Sequence, residues 1–274
     1  MYKCSIILLE EKAMHGNRRN TLMDTIMRTA NPALNDKTFT GVGYTGAGDT
    51  VMSIQGTVNK TGVLLALTLL AAAWVWKMFF ESGNPATVAP WMIGGAIGGF
   101  VVALVTVFKK EWAGATAPVY AVLEGLFLGG TSAVFEARFP GIVIQAVGLT
   151  FGTLFCLLLA YRSGLIKATE NFKMGVMAAT GGIALMYFIT MILGFFGVRV
   201  PFIHDSGVIG IGVSVFIVII AALNLVLDFD FIEHGAAAGA PKYMEWYAAF
   251  GLMVTLIWLY IEILRLLSKL RSRE

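Results

Sequence analysis

The sequence predicts an all-α fold, a polytopic membrane protein built as a seven-transmembrane-helix bundle, and three observations predict it. Of 274 residues, 57% are hydrophobic and only 14% charged, against roughly 25% charged in soluble domains. The mean hydropathy is correspondingly high, at +0.77. A soluble domain of this size would have too few charges to cover its surface. Next, seven apolar runs are long enough to cross a hydrocarbon core of about 30 Å, which takes about 20 residues at 1.5 Å each. Finally, lysine and arginine cluster between the runs, which reads as membrane topology rather than as a footprint for nucleic acid.

The chain opens with residues 1–61, which carry seven of the basic residues. The stretch Ser5–Leu9 is too short for a signal-peptide core of about 7–15 apolar residues, and no small-residue cleavage site follows it. From Asn31 to Thr61 the composition of Asn, Thr, Gly and Asp predicts irregular backbone, and a coherent sequence begins around Met27, an alternative start. Residues 1–61 are therefore read as a cytoplasmic, largely irregular segment, 62–267 as the transmembrane domain and 268–274 as a basic tail.

The runs are Gly62–Phe80, Pro90–Phe108, Ala117–Glu136, Gly141–Tyr161, Phe172–Phe196, Gly207–Leu227 and Tyr243–Leu267, with prolines and basic residues in the breaks. Thirteen Lys and Arg fall on the side of the N-terminal segment and three on the other before the tail. The positive-inside bias then puts the N-terminus in the cytoplasm. Seven complete spans place the basic tail outside; a re-entrant segment would return it to the cytoplasm. Glycine pairs four apart (Gly94 and Gly98, Gly95 and Gly99, Gly125 and Gly129, Gly148 and Gly152) suit close backbone approach within one bundle.

No hydrolytic motif, nucleotide loop or metal-ligand spacing is present: His15, His204 and His234 have no His or Cys at ligand distance in sequence. Cys4 and Cys156 read as unrelated thiols. The expectation is a protein that is not an enzyme and holds no cofactor or resident metal. What remains are acids in or beside apolar helices, which in a membrane mark ion or proton paths or make buried polar contacts. Glu124 interrupts the third run. Asn224, Asp228, Asp230, Glu233 and His234 end the sixth, with Asn224 and Asp228 on one helical face and Asp230 about 200° away from Asp228. Glu262 lies deep in the seventh, with Arg265 three residues on, which also fits a local ion pair.

Three stretches, Tyr120–Leu126, Leu227–Ile232 and the final Leu252–Leu267 helix, resemble the Bax inhibitor/YccA family. Asn31–Asn35 and Gly56–Lys60 look like its bacterial branch, and the resemblance covers roughly residues 27–270. It implies a seven-helix bundle with the last helix central, in a bacterial plasma (inner) membrane. It also implies a pH-sensitive calcium leak, gated where an aspartate of the sixth helix and one of the seventh share a proton. Asp228 matches the first, although Phe229 and Asp230 stand where the family commonly has Thr and Gln. In one register Glu262 matches the second, but it would lie about 28 Å along the helix, at a different height from Asp228. In the other, favoured register Thr255 stands there at better depth and the acid is lost. Glu124 then becomes the first candidate partner of Asp228, because two neighbouring carboxyls cannot both ionise. Calcium ions and protons are the expected cargo. A non-conducting regulator that binds a membrane quality-control protease, and a membrane enzyme, are the competing functions.

Overall fold

In a computed structural model, which describes residues 51–197 and 207–273, the chain folds into seven long helices that alternate in direction. They are α1 (Ile54–Ser82), α2 (Pro85–Phe108), α3 (Ala113–Arg138), α4 (Ile142–Arg162), α5 (Glu170–Phe195), α6 (Val208–Ala237) and α7 (Met244–Arg271), with a 3-10 turn at Lys110–Trp112 before α3. Each is long and apolar enough to span a bilayer. The side chains facing outward are those a lipid solvent requires: Leu70, Ile93, Ile97, Phe100, Leu159 and Val208 are all exposed. A soluble protein could not leave so many large apolar groups in water. Residues 1–50, the Arg199–Pro201 break and His204 lie outside the described residues.

The helix ends differ from the apolar runs. Helix α1 starts at Ile54 and not Gly62, because Ser53 caps it by accepting from Gly56 N at 3.0 Å and the polar stretch Gln55–Lys60 continues the helix. Residues 54–61 are thus helical where irregular backbone is expected. Helix α6 runs ten residues past Leu227 to Ala237, and α7 carries four residues into the basic tail. Asn84 caps α2 with Pro85 at its first position, and the Glu136 carboxylate receives Gly141 N (2.5 Å) and Val143 N (3.0 Å) at the start of α4.

The last helix is central. No residue from Tyr243 to Lys269 is exposed, and α7 packs against α1, α3, α4 and α6. Between helices in lipid, contact comes from close fit rather than from exclusion of water, and glycine supplies it on two seams. A Cβ on Gly129 would meet Ala72 backbone of α1, and one on Gly125 would stand 2.5 Å from Thr68 O; on Gly95 it would stand 2.5 Å from Leu123 O, joining α2 to α3. The expectation of packing fails for Gly94, Gly148 and Gly152, which face no neighbouring atom within 4 Å of such a Cβ.

The end of the bundle where α1 and α7 begin is fastened by charge. Glu245, fully buried, receives Ser53 N (2.9 Å) and Ser53 Oγ (2.8 Å), pairs with Lys60, and has Lys242 Nζ at 3.3 Å. Met52 N donates to Ala240 O, and Val51 pairs with Pro241 as an isolated β-bridge.

Two outcomes follow for the purified protein in detergent. Gly129→Ala should cost about 2–3 kcal/mol by overpacking against backbone, whereas Gly148→Ala should stay within about 0.5 kcal/mol; thermal unfolding compares them. Glu245→Gln should destabilise by about 2–3 kcal/mol, because it leaves Lys60 facing a neutral group. Adding Lys60→Met should recover part of that loss, a coupling that a double-mutant cycle measures.

Candidate functional site

The acids lie in three zones set by the helices that carry them. Asp228 belongs to the middle of the bundle. It sits in Asn224–Ile232, a stretch of α6 in which every residue is buried, and its own exposure is 0%. That is the pattern of a helix enclosed on all sides. Counting nine residues back from Ala237 puts it about 14 Å inside the α6 end. Thr255, eleven residues into α7, lies at about 17 Å from the same end of the bundle. It is also buried, and its hydroxyl donates to Gly251 O at 3.4 Å.

Glu262 is elsewhere. It is nine residues from the opposite end of α7, buried, and held by Arg265 Nη1 (2.8 and 2.9 Å) and by the Tyr187 hydroxyl of α5 at 2.9 Å. Arg265 also reaches Tyr187 Oη at 2.6 Å. The local ion pair open in the spacing is what forms, and it is strengthened from a second helix. Beyond it, Arg138, Arg265 and Lys269 join Phe135, Phe139 and Met191 around a vestibule of about 760 Å³ at that end.

Glu124 is placed by its own neighbours on α2 and α3. The Tyr120 hydroxyl one turn earlier bonds its carboxylate, and a Cβ on Gly99 of α2 would stand 2.8 Å from its Oε1. The acid therefore lies in the α2–α3 seam, facing helices and not lipid. The reason is the turn of α3, whose other small-residue face, Gly125 and Gly129, is taken by α1.

Asn224 likewise turns to α5. Its amide donates to Thr180 Oγ1 (2.8 Å) and to Ile220 O (2.8 Å), so it fixes the α5–α6 packing.

Asp230 lies on the opposite face of α6, as its 200° offset from Asp228 requires, and that face meets α4 and α5. Lys173 Nζ of α5, only 2% exposed, pairs with it at 2.8 Å, His234 Nδ1 is 3.4 Å away, and the Tyr161 hydroxyl of α4 donates at 3.4 Å. Tyr161 also donates to Glu233 at 2.6 Å. Sequence reasoning missed Lys173, which reads as a loop cation. A signal existed, since Thr169 followed by Glu170 marks a helix start and puts Lys173 within its first turns. Tyr161, Tyr187 and the Glu245–Lys60 pair had no such mark.

Among the described residues no group of three His, Cys, Asp or Glu converges to hold a metal. The interior thus holds a buried carboxyl at Asp228, with an ion-paired network toward one end and the Arg138, Arg265 and Lys269 side chains toward the other.

A search of curated proteins returns no match. A family model described as Bax inhibitor 1 like matches residues 12–272, nearly the whole chain and all seven helices. The chain belongs to the Bax inhibitor 1-like family of membrane proteins.

Proposed function

We propose that this protein is a pH-sensitive leak for cations, calcium foremost, in a bacterial plasma membrane, with its N-terminus in the cytoplasm and no enzymatic activity. One observation carries the reading: a wholly buried carboxyl, Asp228, in the enclosed part of α6. An acid at mid-bilayer costs about 2.5–3.5 kcal/mol on insertion scales, and such residues face the bundle interior and mark ion or proton pathways. Family membership supports the same reading.

The work of the chain's own groups follows from their heights. Asp228 takes up or releases a proton and so changes the charge in the middle of the path, while calcium, the substrate, favours oxygen ligands such as its carboxylate. Glu262, bound to Arg265 and Tyr187 about nine residues from the far end of α7, acts on the vestibule and not as the partner of Asp228. The cations Arg138, Arg265 and Lys269 oppose entry of a divalent cation from that end, which suits a slow leak better than a fast channel.

Calcium entry into liposomes containing only the purified protein tests this across a pH series. Flux should vary with pH in the native chain, and Asp228→Asn should flatten the profile, since an amide is neutral at every pH. Glu262→Gln should leave the profile's shape intact. Loss of pH dependence in Glu262→Gln but not in Asp228→Asn would assign the gate to the far end of α7, and absence of flux at every pH would favour the protease-binding regulator. Orientation has its own check: externally applied thiol reagent should miss cysteines introduced at 30–60 and label those in the 81–89 loop.

A further inference from the structure

A groove runs up the side of the bundle between α1 and α4, and ion conduction does not account for it. Its inner part, about 360 Å³, lies between these two helices with α3 and α7 as its floor. Its outer part, about 980 Å³, opens toward the end where α1 begins, beside Arg162 and Lys167. Leu65 and Phe151 line both, so the two parts form one continuous slot.

The lining is built apolar even where the residues are not. Thr68, Ser132, Thr150 and Tyr260 all face the inner slot, yet each hydroxyl is already satisfied within the protein. Thr68 donates to Leu64 O and Ala121 O, Thr150 donates to Ala146 O, and Ser132 and Tyr260 bond one another at 2.6 Å. Water entering there would find few partners, and a water-filled cavity needs two to four. The slot instead suits a flexible hydrocarbon chain. A protein helix, about 10 Å across, would fill 360 Å³ in roughly 5 Å of its length, so the space is too narrow for one.

The mouth differs in kind. Arg162 and Lys167 are exposed there, and among the described residues neither has a carboxylate within 4 Å. The acids at the same mouth are engaged, Asp230 by Lys173 and Glu233 by Tyr161. The uncompensated charge is positive, at the height where an apolar slot meets the bundle end.

We infer that the α1–α4 groove is a binding site for an anionic phospholipid, with one acyl chain in the slot and its phosphate at Arg162 and Lys167. Such a lipid rests directly on α7 through Met253, Leu256 and Ile257 and on α6 through Phe229. A bilayer component thereby becomes part of the packing of the central helix.

Native mass spectrometry of the detergent-purified full chain, titrated with phosphatidylglycerol or phosphatidylcholine, tests the site. One phosphatidylglycerol should be retained per chain, at least tenfold more tightly than phosphatidylcholine. Arg162→Gln with Lys167→Gln should remove that preference, whereas Lys109→Gln with Lys110→Gln, on another loop of the same end, should not. Ala73→Trp on α1 and Val147→Phe on α4 each narrow the slot from a different helix, and either one, if folded by its thermal transition, should reduce retention at least tenfold. Unchanged retention in the folded slot variants, or equal retention of the two lipids by the native chain, overturns the proposal. So does displacement of the lipid by millimolar inorganic phosphate, which would make the site one for a free anion.

Discussion

Inside a bilayer, apolar side chains gain little by exchanging acyl chains for one another, so a central helix must be held by fit and by polar bonds. Helix α7 is such a helix, and the organisation of the chain depends on keeping it enclosed. Its start is clamped by Glu245 to Ser53 and Lys60 of α1. Its middle packs rings edge to face, Phe250 with Tyr120 of α3 at 4.9 Å between centroids. Near its far end Tyr260 meets Ser132, Glu262 meets Tyr187, and Lys269 donates to Gly210 O and Ser214 of α6. Polar groups thus recur along the one helix that touches most others, while α2 and α5 at the periphery show mainly apolar surface to lipid.

Charge is sorted by height as well as by helix. Toward each end of the bundle an acid is met from a neighbouring helix, Asp230 by Lys173 and Glu262 by the Tyr187 hydroxyl, with Arg265 of its own helix beside it. Because these groups are buried, the partner offsets the desolvation cost of the charge that it meets. Asp228 and Glu262 each stand nine residues from a helix end, on opposite sides of the bundle, and both are buried. What sets Asp228 apart is the enclosure of α6 around it, where every residue from Asn224 to Ile232 is buried.

Much of this was legible in the sequence, and the limits have physical causes. Seven spans could be counted because hydropathy reports the solvent of a helix directly. Their ends could not, since α1 continues through Gln55–Lys60 and α6 through Asp228–His234, stretches that carry polar residues yet remain compatible with helix. The acids were found because charge in an apolar run is rare. Apart from Arg265 beside Glu262, their partners were not, because the bonds join distant residues on different helices: Tyr161 and Glu233 are 72 positions apart, Tyr187 and Glu262 75, and Lys60 and Glu245 185. The surroundings of Glu124 were hidden in the same way. Height along a helix can be counted from sequence, but the direction α3 turns its acid depends on which neighbour occupies its glycine face.

The short bridge from Val51 to Pro241 and the bond from Met52 to Ala240 have a mechanical side. They join the chain entering α1 to the turn between α6 and α7 before it enters the bundle. Tension on the preceding residues therefore passes first to that turn and to the two helices leading away from it. One of them holds Asp228 about 14 Å from the point of attachment's helix end. A pull from the N-terminal side is delivered to the most enclosed part of the molecule, while the lipid-facing helices α2 and α5 lie off the line of force.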